Sequence, residues 1–139
     1  MSVIRRMDHF TVVTDRLEET RDFYSKLGLK VGPRPDFPVA GIWFYAADQA
    51  VLHVVAVDEL PDEPRGVIDH IAFYGEGLAD TLALLDAEKI AYRVIRTPRP
   101  FSTWQVFFND PNGAEVEIDF DASEPAPPHM RRSAVPGRP

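Results

Sequence analysis

Hydrophobic and polar positions along this chain follow two periods, and the switches between them mark the elements. Residues 4–13 carry apolar and β-branched side chains in strand-like order, closing on Phe10-Thr11-Val12-Val13. The period then lengthens through Leu17, Phe23, Tyr24 and Leu27, which predicts a helix. Asp15, with Glu18 three residues on, has the form of a capping box at its start, and Gly28 fits the left-handed position after its last turn. A short strand over 29–31 leads into Pro33-Arg34-Pro35-Asp36-Phe37-Pro38. Three prolines fix φ and remove donors there, so this stretch is a loop. Residues 41–46 and 50–57 read as a hairpin turning near Ala47-Asp48-Gln49.

The same order then starts again. Residues 68–74 read as a strand, and Leu78, Leu82 and Leu85 form an apolar stripe on a helix over about 78–89. Strands over 92–96, 103–108 and 115–120 follow, with a second proline-arginine loop at Pro98-Arg99-Pro100-Phe101 and a strong turn at Asp110-Pro111-Asn112-Gly113. Each half reads strand, helix, strand, strand, strand. Asp8-His9 falls on Asp69-His70, Leu17 on Leu78, Thr20 on Thr81 and Leu29 on Ile90, all at an offset of 61. A longer turn in the second copy raises the offset to 64, which sets Phe44 on Phe108 and His53 on Glu117. A steady offset over ordered matches signals an internal repeat. The expected architecture is α+β, one domain over 1–121 built from two βαβββ modules. These are module one at about 4–57, a connector of carboxylates, prolines and a glycine at 58–66, and module two at about 67–121. Residues 122–139 lack apolar period and read as a mobile tail.

Composition narrows the function classes. The chain has 139 residues, 45% hydrophobic and 27% charged, which suits a soluble domain with a real core. A net charge of −7 argues against a nucleic-acid footprint, since phosphate binding wants a basic face. No membrane partner is expected, because no apolar run is long enough to span one. Without cysteine, thiolate metal sites, disulfides and cysteine nucleophiles are excluded. Arg5, Arg6 and Asp8 interrupt the N-terminal apolar stretch, so a secretory signal is not expected and the cytoplasm is the default location.

The candidate chemistry sits at repeat-related positions. His9 and His70 come with the first strand of each module, and His53 and Glu117 come from the last. All four are good ligands for a divalent metal. Alternation along a strand turns His53 away from Leu52 and Val54, and Glu117 away from Val116, Ile118 and Phe120. His53 can be read as a ligand, a proton shuttle near neutral pH or a pocket wall. Arg34 and Arg99 could clamp a carboxylate or phosphate. Trp43, Phe101 and Trp104 are candidate pocket walls and Gln105 a candidate pocket donor. His129, Arg131 and Arg132 in the tail carry no assigned role.

These residues resemble the vicinal-oxygen-chelate superfamily, the glyoxalase/bleomycin-resistance/extradiol-dioxygenase group. The resemblance spans about 4–121 and rests on Asp8-His9, Arg21-Asp22-Phe23-Tyr24, Leu27-Gly28-Leu29, His53, Asp69-His70 and Phe108-Asn109-Asp110-Pro111-Asn112-Gly113 leading to Glu117. It implies a cup-shaped mixed sheet of paired βαβββ modules around a metal, and a homodimer. It implies His9, His70, Glu117 and His53 as ligands of a zinc, nickel, manganese or iron ion. Glu117 and His53 are the implied proton movers, and a small oxygen-rich molecule is the implied substrate, with Arg34, Trp43, Phe101, Trp104 and Gln105 about it. The implied reaction is a lyase or isomerase step through an enolate-like intermediate on a chelated substrate. His53 stands where glyoxalase I usually offers glutamate or glutamine, so one of the paired shuttling carboxylates is missing. His9, His70 and Glu117 alone would form a two-histidine, one-carboxylate set, as in ferrous oxygenases and fosfomycin-type thiol transferases. Two alternatives follow: extradiol ring-cleaving dioxygenation, and ligand sequestration of the bleomycin-resistance kind. The late tyrosine and histidine of extradiol enzymes have no counterpart between Thr97 and Phe108.

Overall fold

The computed structural model describes residues 3–4 and 6–131. In order the elements are β1 (Phe10–Thr14), α1 (Leu17–Lys26), β2 (Lys30–Gly32), β3 (Gly41–Ala46), β4 (Gln49–Ala56), β5 (Ile71–Tyr74), α2 (Leu78–Ala87), β6 (Tyr92–Arg96), β7 (Trp104–Asn109), β8 (Glu115–Phe120) and α3 (Pro128–Arg131). The class is α+β. The chain folds as two compact units, one taking residues up to Asp69 together with Asp110–Ala114, the other taking His70–Asn109 and the residues from Glu115 onward.

The first unit is a four-stranded sheet in the order β1-β4-β3-β2, with β1 parallel to β4 and the other pairs antiparallel. Its core is Tyr24, Ile42, Phe44, Leu52 and Val54, all at most 3% exposed. Gly28 takes φ +99° after α1, the left-handed closure expected of it. The expected capping box is corrected. The N-cap is Arg16, with no side-chain cap, and the Arg16 backbone N–H instead donates to Thr14 Oγ1 at 2.9 Å. Thr14 is fully buried and lies in a polar network that outcompetes Asp15 for the turn.

That network explains why five residues from late in the chain belong to the first unit. The Tyr24 hydroxyl donates to Asp110 Oδ2 at 2.8 Å, and the Asn112 and Ala114 backbone N–H groups donate to Asp110 Oδ1 at 2.8 and 2.9 Å. Thr14 Oγ1 donates to Asn112 Oδ1, and Asn112 Nδ2 donates to Thr20 Oγ1. Asp110 is 5% exposed, so its oxygens must find donors inside the protein. Burial, then Asp110, pushes the Tyr24 phenol well above its usual range.

The second unit repeats the plan: β5-β8-β7-β6, with β5 parallel to β8. Leu78, Leu82 and Leu85 form the buried face of α2 as their spacing predicts, and Trp104, Val106, Phe108, Val116 and Phe120 are buried residues of β7 and β8 in the same unit. The registers carry the repeat into three dimensions. Thr11, His53 and Trp43 lie abreast across β1, β4 and β3, and Ala72, Glu117 and Phe107 lie abreast across β5, β8 and β7. The steps are 61 positions from Thr11 to Ala72 and 64 from His53 to Glu117 and from Trp43 to Phe107, the offsets read from sequence.

Two boundaries move. His9 and His70 stand just before β1 and β5 rather than within them. The expected tail is also more structured up to Arg131 than its composition suggests. The Gly77 and Leu78 backbone N–H groups donate to the two Glu124 carboxylate oxygens at 2.8 and 2.7 Å, and Trp104 Nε1 donates to the Glu124 carbonyl at 3.0 Å. Gly77, the N-cap of α2, has no side chain to offer, so a carboxylate 47 residues away satisfies the helix start. The expected tail over 132–139 lies outside the described residues.

Candidate functional site

In the first unit, a parallel stack of rings stands at the centre of the sheet. His9 and His53 have centroids 3.7 Å apart with planes 14° apart, and His53 and Trp43 are 3.9 Å apart with planes 11° apart. The sheet registers Trp43 directly beside His53, and His9 reaches the other face of His53 from the segment before β1. Asp8 Oδ2 and His9 Nδ1 are 2.7 Å apart. A carboxylate only accepts, so Nδ1 carries the proton, and in the neutral ring Nε2 keeps its lone pair. This carboxylate-to-imidazole bond is the kind that orients metal-ligating histidines. Burial holds the His53 imidazole below the usual histidine range, and His9 and Arg34 push it the same way.

The stack bears on what the two histidines can do together. An imidazole nitrogen binds a metal within the plane of its own ring. Planes this close to parallel and a ring's thickness apart meet only far from both rings. In this arrangement His9 and His53 do not direct lone pairs at one point. His53 instead forms the middle of a wall.

That wall opens onto a cavity of about 360 Å³ lined by Thr11, Arg34, Phe37, Pro38, Val39, Trp43, His53 and Val55. The proline-rich loop brings Arg34 and Phe37 to it. Arg34 Nη2 donates to the Val39 carbonyl at 2.8 Å, and its guanidinium carbon lies 5.0 Å from the Phe37 ring centre.

In the second unit, Glu117 is the organising residue. It is 4% exposed, and its Oε2 lies 2.8 Å from His70 Nε2. Gln105 Nε2 donates to Glu117 Oε1 at 2.5 Å and to Asp119 Oδ1 at 3.0 Å. Period-two alternation puts Glu115, Glu117 and Asp119 on one face of β8 and Val116, Ile118 and Phe120 on the other, which is core. Burial first, then the hydrogen bond and charge of Asp119, raise the Glu117 carboxyl from 4.5 to about 7, against the pull of His70. The His70–Glu117 spacing suits a metal. With bonds of about 2.1 Å, two ligand atoms at a right angle stand about 3 Å apart. His70 and Glu115 also offer ligand atoms within 4.8 Å of one another. Imidazole and carboxylate together fit zinc, nickel, manganese or iron.

Residues 6–118 match the family model of the Glyoxalase/Bleomycin resistance protein/Dioxygenase superfamily. The chain belongs to that superfamily. Solved structures agree at the level of fold. A glyoxalase family protein from Bacillus anthracis is 24% identical, with a TM-score of 0.72 over 87% of this chain and 98% of that one. A lactoylglutathione lyase from Agrobacterium tumefaciens is 20% identical, with a TM-score of 0.62 over 83% and 92%. The fosfomycin resistance protein FosX from Listeria monocytogenes is 16% identical, with a TM-score of 0.67 over 85% and 94%. No curated protein sequence matches the chain.

Within this superfamily member the other expected pocket residues separate. Arg34 and Trp43 line the first unit's cavity. Gln105 holds Glu117 and Asp119 rather than standing free for a substrate. Trp104 is 3% exposed and belongs to the core of its unit, with Arg96 stacked on it at 4.5 Å. Phe101 stands 77% exposed on its loop. Two residues escaped the sequence reading. Asp119 was legible in the alternation that exposed Glu117, whereas Phe37, three residues from Arg34 in a loop without period, gave no signal.

Proposed function

We propose that this protein is a metal-dependent lyase or isomerase of the glyoxalase type, acting on a small oxygen-rich molecule. The observation that carries the reading is the buried Glu117 carboxyl, held near neutral pKa and 2.8 Å from the His70 imidazole. His70 and Glu117, both in the second unit, are the donor residues of this reading. A bound divalent ion would supply Lewis-acid stabilisation of negative charge developing on substrate oxygen. The chain's own residues do the rest. Asp8 fixes the proton on His9 Nδ1. Gln105 fixes Glu117 Oε1, so Oε2 is the oxygen that takes or releases a proton near neutral pH. His53, kept neutral by burial, is a second site for a proton. The reading carries with it a homodimer in the cytoplasm, to be checked by sedimentation and fractionation.

Untagged protein should carry or take up stoichiometric zinc, nickel, manganese or iron, and turn over a hemithioacetal when loaded. His70→Ala and Glu117→Ala should each lose metal. His53→Ala should keep it while turnover falls. Protein that neither holds metal nor takes it up with a ligand present sinks the enzyme reading. A second reading, ligand sequestration without chemistry, is favoured by one observation: the His9–His53–Trp43 stack walls a cavity without aiming two lone pairs at one ion. Ring-cleaving dioxygenation predicts oxygen uptake with catechols on iron-loaded protein.

A further inference from the structure

The first unit's cavity has a chemistry of its own. One wall is flat: the Trp43 ring, backed by His53 and His9 in near-parallel stack, gives a rigid aromatic face three rings deep. Across from Trp43, Phe37 stands at 6.5 Å between centres, tilted by 47°, so the two rings form an open wedge. Phe37 is 52% exposed on the proline-rich loop. Pro38, Val39 and Val55 complete apolar sides.

The cavity's charge is equally particular. Arg34 is its one ionised lining residue, and among the described residues no carboxylate pairs with it. His53 stays neutral beside it. The Arg34 Nε–H is buried and has no acceptor. That N–H is closed off inside the protein, while the side chain lines the cavity and offers a ligand a cation that no carboxylate among the described residues already neutralises. The guanidinium is held in place from behind. Gly41 lies against it, where a Cβ would come within 2.9 Å of Arg34 Nη2, and Val39 anchors Nη2.

A flat aromatic wedge with one fixed, unsatisfied cation beside it selects for a flat apolar body carrying one anionic oxygen group. We propose that this cavity binds a planar aromatic carboxylate, its ring stacked on Trp43 beside Phe37 and its carboxylate received by Arg34. The proposal deepens the reading of a small oxygen-rich substrate by naming its class, and it rests on that reading. Its binding determinants lie wholly in the first unit and need no metal, so it fails separately from the enzyme reading.

The test is calorimetric titration in the presence of EDTA, with 2-naphthoate, its neutral amide 2-naphthamide, and the non-planar cyclohexanecarboxylate as probes. Wild-type protein should bind 2-naphthoate about tenfold or more tightly than either of the others. Arg34→Met should remove the preference for carboxylate over amide while leaving amide binding in place. Trp43→Leu should weaken naphthoate and naphthamide together. Thermal melting near the wild-type temperature certifies that each variant is folded, and Phe37→Leu is the fallback for the aromatic face should Trp43→Leu not fold. Equal affinity for naphthoate and naphthamide, equal affinity for the planar and non-planar acids, an Arg34→Met variant that keeps its carboxylate preference, or no binding of 2-naphthoate would each overturn the proposal. Naphthoate binding by protein that neither holds metal nor takes it up with a ligand present would overturn the enzyme reading alone.

Discussion

Glu117 shows how one side chain's surroundings decide its chemistry. Raised from 4.5 to about 7, its carboxyl in the folded chain holds a proton that the unfolded chain has already released at the same pH. The stability this contributes is complete below about pH 4.5 and is lost as pH rises through about 7. The shift sets an upper bound of about 3 kcal/mol on that loss for metal-free protein. Metal-free wild-type should therefore lose stability in urea across this window. Glu117→Gln, which keeps a neutral side chain beside Gln105 and Asp119, should flatten the profile. A wild-type profile that rises over the same window would contradict the assignment. Glu117 was legible in the sequence as a polar position among apolar neighbours on a motif-bearing strand. Its near-neutral pKa was not, because that depends on burial and on Asp119 sharing its face.

Element by element, regular periodicity translated well and cross-chain capping did not. Strands over 92–96 and 115–120 and the start of α2 fell where the pattern put them. β1 and β5 start later than the pattern put them, at Phe10 and Ile71, and Ile4 and Ile68 ahead of them are 81% and 68% exposed. The start of α2 depends on Glu124, and the start of α1 on Thr14, which Asn112 holds. Glu124→Ala leaves two N-terminal donors of α2 without their carboxylate, and should cost about 1 kcal/mol in urea unfolding. Asp110→Ala strips the acceptor from Tyr24 and from the Asn112 and Ala114 backbone. The expected loss is about 2–4 kcal/mol, reduced in a Tyr24→Phe background by a double-mutant cycle.

At the scale of the whole molecule, two repeats of one plan have diverged in their chemistry. At the equivalent central position one carries histidine inside an aromatic stack and the other a carboxylate inside a hydrogen-bonded cluster. A metal that binds the native chain stabilises it by mass action, by about 2.7 kcal/mol at a hundred times its Kd. The urea midpoint of wild-type should rise accordingly with zinc, nickel or manganese, and chelator should reverse it. His70→Ala and Glu117→Ala should show no such rise. Among the described residues no helix is long and apolar enough to cross a membrane.

The sequence by itself determined the repeat, the two βαβββ plans and the residues that occupy equivalent central positions. These follow from local periods and from a constant offset, which a linear chain displays directly. Tertiary structure alone decided that His9, His53 and Trp43 stack, that Gln105 and Asp119 grip Glu117, that Arg34 keeps an unsatisfied donor beside a cavity, and that the Asp110 turn joins the first unit. Those outcomes depend on ring orientation, burial and bonds between residues up to 98 positions apart. No period along the chain encodes them, because each is settled by what remains to be satisfied once the strands have paired.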